Sequence, residues 1–188
     1  MCKNLIKSVA KWSRKWYYIC KCYSNKFFLG KGGVDMAIKG FLGQYDINID
    51  DKGRVRIPAK FKAQLGEEFV ISCGGRECLS VYPENEWEKM TEQLEKFDGF
   101  NEEVEDFKRT IYANATEAEY DSVGRVLIPI KYREYASLKK ELIVSGVGDH
   151  FEIWDAEKWN SNSYSSVEKR RTLQKEVSLS LTGGKNGI

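Results

Sequence analysis

One phrase of this chain is written twice. Asp-Lys-Gly-Arg-Val-Arg-Ile-Pro at residues 51–58 returns as Asp-Ser-Val-Gly-Arg-Val-Leu-Ile-Pro at residues 121–129, with Gly53 and Gly124 71 residues apart. The match continues beyond the phrase. Asp50 and Asp121 each stand four residues before an arginine, Arg54 and Arg125. Lys60 and Phe61 answer to Lys131 and Tyr132, Phe69-Val70-Ile71-Ser72 to Leu142-Ile143-Val144-Ser145, Tyr82 to Trp154, and Trp87 to Trp159. The spacing drifts from 71 to 72–73 residues along the unit, which places small insertions in its loops. A period of about 45 residues that occurs only twice describes a duplicated module, not a solenoid.

Each copy carries the same local instructions. Alternating Tyr45, Ile47 and Ile49 predict a strand with one buried face. Asp-x-x-Gly-Arg is turn chemistry: an aspartate bonds backbone amides ahead of it, and glycine takes a positive φ. Val55 and Ile57 predict a second strand. Pro58 suits the first turn of a helix, where a missing N–H costs nothing. Residues 59–65 predict that helix, with Gly66 just past its end. Residues 69–72 and 79–82 predict two further strands. The expected unit is therefore β-β-α-β-β, and the fold class α+β. Asp50, Gly53, Pro58, Asp121, Gly124 and Pro129 are read as the structural residues of the two turns.

A unit of about 45 residues is close to the size at which a domain needs help to bury a core. Two units in one chain are expected to intertwine or pack as a pseudo-dimer. The organisation expected is an extension over residues 1–35, a first unit over 44–87, a helical connector over 88–114, a second unit over 115–159, and a helix with a disordered tail over 160–188. Trp87, Met90 and Leu94, then Val104, Phe107 and Ile111, fall at helical spacing and predict a hairpin of two helices packed on the β core.

Charge is unevenly distributed. The chain has 30 basic and 28 acidic residues, but residues 1–35 hold eight basic residues against Asp35 alone. The remainder carries 22 basic and 27 acidic residues, so any contact with nucleic acid rests on a local patch. The N-terminal segment is too interrupted for a signal peptide. A basic arm that touches nucleic acid or anionic lipid is one reading of it. The other is that Gly32-Gly33 encodes a purine-rich ribosome-binding site read in frame, and that translation begins at Met36; intact mass of the natively expressed protein decides between them.

No stretch of 18 apolar residues is present to make a membrane helix. Five cysteines, three of them in the N-terminal segment, are read as reduced thiols, and Cys20-Lys21-Cys22 lacks the partners of a zinc site. No metal or cofactor is expected. The single histidine, His150, is read as an exposed loop residue. No nucleophile elbow, P-loop or dinucleotide fingerprint occurs, so the chain is not read as an enzyme.

The double motif Asp-x-x-Gly-Arg-hydrophobic-x-Ile-Pro, each copy followed by a strand pair ending in an aromatic and then a tryptophan, resembles the MraZ family, whose units are SpoVT/AbrB-type domains. The likeness covers about residues 41–160, and Gly40-Phe41-Leu42-Gly43 resembles the family's N-terminal start. The resemblance implies a swapped-hairpin β-barrel built from both halves. It implies a cytoplasmic, nucleoid-associated transcription regulator on double-stranded DNA, bound at promoter repeats upstream of its own division and cell-wall gene cluster. It also implies a homo-oligomeric ring, with no membrane and no small-molecule substrate. Repression is the expected sense, because a ring beside a promoter obstructs polymerase.

The residues agree with that expectation. Residues 50–62 hold five basic and two acidic side chains, and residues 121–133 hold three and one. Lys52, Arg54, Arg56, Lys60 and Lys62 in the first copy, and Arg125, Lys131 and Arg133 in the second, are the candidate DNA contacts, able to neutralise phosphates or pair with guanine. A structural reading stands beside this one: Arg54 and Arg125 pair with Asp50 and Asp121, and the helix lysines are solvated. Lys52 becomes Val123 and Arg56 becomes Leu127 in the second copy, so the first is the better candidate for reading DNA. The rival function is an AbrB-like oligomeric protein-interaction module without specific DNA binding.

Overall fold

The computed structural model describes residues 40–97, 101–162 and 166–182. The basic segment 1–35 with its start at Met36, the thiols Cys2, Cys20 and Cys22, and the tail after Thr182 lie outside these residues.

The first unit runs β1 (Gln44–Asn48), β2 (Arg54–Val55), α1 (Ala59–Leu65), β3 (Glu68–Cys73) and β4 (Leu79–Pro83). Two helices follow, α2 (Glu84–Glu95) and α3 (Glu102–Ala113). The second unit repeats the order: β5 (Ala115–Glu119), β6 (Val126–Leu127), α4 (Ile130–Ala136), β7 (Glu141–Gly146) and β8 (Phe151–Asp155). Two more helices end the described chain, α5 (Ala156–Ser161) and α6 (Val167–Thr182). Pro58 and Pro129 sit at the N-caps and not inside the first turns; their carbonyls accept from the amides of Phe61 and Tyr132 at 2.8 and 3.0 Å.

Pairing between strands crosses from one unit to the other. The main sheet has the order β1-β7-β8-β4-β3-β5, antiparallel throughout. The first strand of unit one lies on the third strand of unit two, Tyr45 opposite Val144 and Ile47 opposite Leu142. The first strand of unit two lies on the third of unit one, Phe69 opposite Ala118. The last strands meet in the middle, Leu79 opposite Ile153 and Val81 opposite Phe151. The short strands β2 and β6 pair with each other as a separate ribbon. Each unit thus hands its opening hairpin to the other, the swapped-hairpin arrangement expected of the α+β fold.

The core is shared for the same reason. Val55, Ile57, Phe61, Leu65 and Ile71 of the first unit are buried with Val126, Ile128, Tyr132, Val144 and Phe151 of the second. Phe61 is the hub, its ring 5.2 Å from Phe41, 5.0 Å from Tyr45 and 5.3 Å from Phe151. The backbone of Phe41 enters the sheet by exchanging two hydrogen bonds with Gly148, at 2.7 and 3.1 Å. Gly146 permits this, because a Cβ there would stand 2.3 Å from the Phe41 carbonyl oxygen.

The connector forms the expected pair of helices. Leu94 and Ile111 are buried, while Trp87, Met90, Val104 and Phe107 are half-buried. Glu95 ties the helices together by accepting from Lys108 Nζ and Tyr112 Oη, each at 3.0 Å. Asn101 caps α3 by accepting from the Glu103 amide.

His150 corrects the sequence reading. It is 5% exposed, stacks on Tyr82 with ring centroids 4.4 Å apart, and contacts Asp149 Oδ1 through Nδ1 at 2.6 Å. Its place at the start of β8 turns it inward against β4, where an aromatic ring covers it.

Candidate nucleic-acid interface

The two Asp-x-x-Gly-Arg turns are brought side by side by the β2–β6 ribbon, Arg54 opposite Leu127 and Val55 opposite Val126. Buried Val55, Ile57, Val126 and Ile128 anchor the ribbon to the core. The turns above it are nearly superimposable in chemistry. Asp50 Oδ1 accepts from the amides of Lys52 and Arg54 at 3.0 and 2.9 Å, and Asp121 Oδ1 from those of Val123 and Arg125 at 3.0 and 2.8 Å. Gly53 and Gly124 close the turns at φ of 81° and 76°, values that favour glycine.

The arginines complete the turns. Arg54 donates from Nε to Asp50 Oδ2 at 2.8 Å, with Nη2 at 2.7 Å; Arg125 does the same to Asp121 Oδ2 at 2.9 and 2.8 Å. The pairs also face each other across the ribbon. Arg54 Nη1 lies 3.9 Å from Asp121 Oδ2, and Arg125 Nη1 lies 3.7 Å from Asp50 Oδ2. The four side chains make one alternating quartet, and the two arginine side chains keep 25% and 27% exposure. The Arg54 guanidinium and amide hold Asp50 down at a pKa of about 2, and the amide and side chain of Arg125 do the same for Asp121. Both carboxylates are charged at neutral pH, so the quartet is electrically balanced.

Three more of the candidate cations are engaged within the protein. Lys62 of α1 holds Nζ 4.1 Å from the centre of the Tyr120 ring, beside the second turn. Arg133 of α4 crosses to the first turn, where its guanidinium would meet a Cβ on Gly53 at 2.7 Å. Its Nε is buried with no hydrogen-bond partner among the described residues. Each helix therefore braces the other unit's turn, a crossing that spacing within one copy cannot reveal. Lys131 donates to the Ala113 carbonyl at 2.8 Å.

The remaining cations point outward. Lys52, Arg56 and Lys60 are exposed. The equivalent positions of the second unit are different in kind. Val123 and Leu127 replace Lys52 and Arg56, and Ile130 replaces Ala59; these three are 56, 55 and 62% exposed. The symmetry of the backbone thus sets cations in the first copy where the second has apolar side chains, on the same outward side of the ribbon, with Leu127 opposite Arg54. The sequence carries the signal for the apolar positions in the two substitutions, and α4 adds Ile130 to them.

Elsewhere, no cluster of histidine, cysteine and carboxylate that would hold a metal occurs among the described residues. Cys73 and Cys78 are free thiols; Cys78 is buried beside Ile143 and Trp154, and burial pushes both thiols up. No helix of the described residues is long and apolar enough to cross a membrane.

Comparison with known proteins gives consistent results. The family model for the MraZ protein, which its description also calls antitoxin-like, matches residues 41–110 and again 111–177. A protein named transcriptional regulator MraZ from Lachnoclostridium phytofermentans is 41% identical over 140 residues, covering 74% of this chain and 99% of the relative. Proteins of the same name are 45% identical in Leuconostoc mesenteroides, covering 68% of this chain and 90% of the relative, and 44% identical in Carboxydothermus hydrogenoformans, covering 64% and 85%.

Proposed function

This chain belongs to the MraZ family, and from that premise we propose that it is a transcriptional regulator that binds double-stranded DNA through the paired turns. Its relatives are named for regulation, not catalysis. The reading rests most on one observation: the ribbon sets the two hydrogen-bonded turns together and leaves Lys52, Arg56 and Lys60 exposed in and beside the first.

Lys52 and Lys60 supply point charges for phosphates, and Arg56 supplies a planar fork suited to guanine or to a phosphate. Arg54 and Arg125 are committed to their aspartates through Nε and Nη2. They hold the turns in shape and offer DNA only their remaining edges. Lys62, Lys131 and Arg133 are braces first and contribute to the positive field second. Three outward cations bind weakly alone. An oligomer that sets several copies along one duplex makes the later contacts intramolecular. The family resemblance supplies the rest of the proposal: a ring of subunits on promoter repeats upstream of the protein's own division and cell-wall cluster, repressing from the nucleoid.

Fluorescence anisotropy of the full chain on duplex from upstream of its own gene, against a shuffled duplex over a salt series, tests the proposal. The native duplex is expected to bind tighter at near-physiological salt. Lys52→Ala/Arg56→Ala is expected to weaken binding and to reduce the salt slope by about 1 per lost phosphate contact. Equal, salt-labile binding to both duplexes would leave the turns as architecture alone.

A further inference from the structure

The two turns fold alike and present different chemistry. In the ribbon, Val55 faces Val126 on the buried side, and Arg54 faces Leu127 on the other. Side chains alternate along each strand, so Arg56 and Leu127 share that outward side. Val123 stands in the second turn where Lys52 stands in the first. Val123 and Leu127 are both more than half exposed, so the core does not need them. Between Asp121 and Lys131 the only charged side chain is Arg125, and the carboxylates of Asp121 and Asp50 balance it.

This difference decides what each copy can recognise. A phosphate set against valine or leucine loses water and gains no hydrogen bond, which is unfavourable. The base edges of a duplex offer one distinctive apolar group in the major groove, the C5-methyl of thymine. That groove is about 12 Å wide and admits a two-stranded ribbon. Arg56 is the diagonal neighbour of Leu127 in the ribbon's register. Diagonal neighbours stand about 7–8 Å apart, roughly the rise of two base pairs. Both side chains therefore reach edges within one short stretch of the same groove.

We propose that Leu127 and Val123 are specificity-determining residues of the DNA site, which pack on the C5-methyl groups of thymine in the major groove beside the edge that Arg56 meets. The inference rests on the DNA reading above and adds what the second copy does there. The first copy supplies charge and hydrogen bonds. The second sorts thymine from cytosine, which carries only a hydrogen in the methyl's place and leaves the leucine uncovered.

Anisotropy of the full chain on its native upstream duplex tests this, with deoxyuridine replacing thymine one position at a time. Deoxyuridine keeps the base pair and removes only the methyl group. Wild type is expected to lose about fourfold in affinity for each methyl it covers, and nothing at the other thymines. Leu127→Ala/Val123→Ala is expected to bind the unsubstituted duplex about fourfold or more weakly. It is expected to keep the wild-type salt slope, because no phosphate contact is lost, and to be indifferent to deoxyuridine at the sensitive positions. Both side chains are exposed, so the variant's thermal melt is expected to match that of wild type. Specific binding by wild type that no deoxyuridine weakens would overturn this inference and leave the DNA reading standing. So would a variant that keeps the full sensitivity of wild type. Equal binding to native and shuffled duplex would overturn the DNA reading, and this inference with it.

Discussion

Asp50 divides its work between its two oxygens: Oδ1 holds the backbone of the turn, and Oδ2 holds the Arg54 guanidinium. Asp121 repeats the division. Both carboxylates titrate at about 2 in the folded protein instead of the ordinary 3.8. A depressed folded-state pKa contributes stability that is present above the unfolded value and lost as pH falls through the folded one. Melts between pH 7 and pH 2 are therefore expected to show the wild type losing stability from about pH 4 down to about pH 2. Asp50→Asn/Asp121→Asn is expected to be less stable at neutral pH and to converge with wild type at the acid end. The glycines of these turns differ despite similar φ. Gly124→Ala meets only Lys62 Nζ at 3.5 Å, whereas Gly53→Ala drives a Cβ to within 2.7 Å of a packed guanidinium. Either substitution is expected to cost about 1–2 kcal/mol for its left-handed backbone. Gly53→Ala is expected to be the costlier of the two in urea denaturation, because Arg133 must leave its place.

At the scale of elements, much of the fold was legible because each strand and helix has its own local cause. The alternation of Tyr45, Ile47 and Ile49, the glycines of the turns, the helical spacing from Trp87 to Ile111 and the duplication itself are all sequence signals. What escaped the sequence is what depends on a neighbour from the other unit. His150 read as a loop residue because its cover, Tyr82, lies on a different strand. Lys62 and Arg133 read as DNA contacts or solvated helix cations because the turns they brace belong to the opposite copy. Arg54 and Arg125 admitted two readings, and only the observed quartet shows how fully the aspartates engage them. The elements are also unequal in cost. Phe61 of α1 joins β1, β8 and Phe41. Phe61→Ala is expected to lose about 3–5 kcal/mol, measured by chemical denaturation. Gly146→Ala is expected to expel the backbone of Phe41 from the sheet edge, read as faster amide exchange at Phe41 and Gly148.

The whole molecule is a single core made by two copies that cannot finish themselves. Neither unit pairs its own first and third strands. A chain carrying residues 115–182 alone is expected to show no cooperative unfolding transition as a monomer; a sharp one would show that the second unit closes without the first. Duplication within one chain also lets the units diverge while the backbone stays symmetric, which is how Arg56 and Leu127 come to occupy matching places. The pairing of Tyr45 with Val144 spans 99 residues. At a synthesis rate of about 5–20 residues per second, β1 leaves the ribosome roughly 5–20 seconds before β7 exists. During that interval β3 and β4 have each other, but β1 lacks β7 and β4 lacks β8, which leaves apolar faces and open edges in reach of other nascent chains. The price of a shared core is thus a vulnerable adolescence that lasts until the second half of the chain arrives.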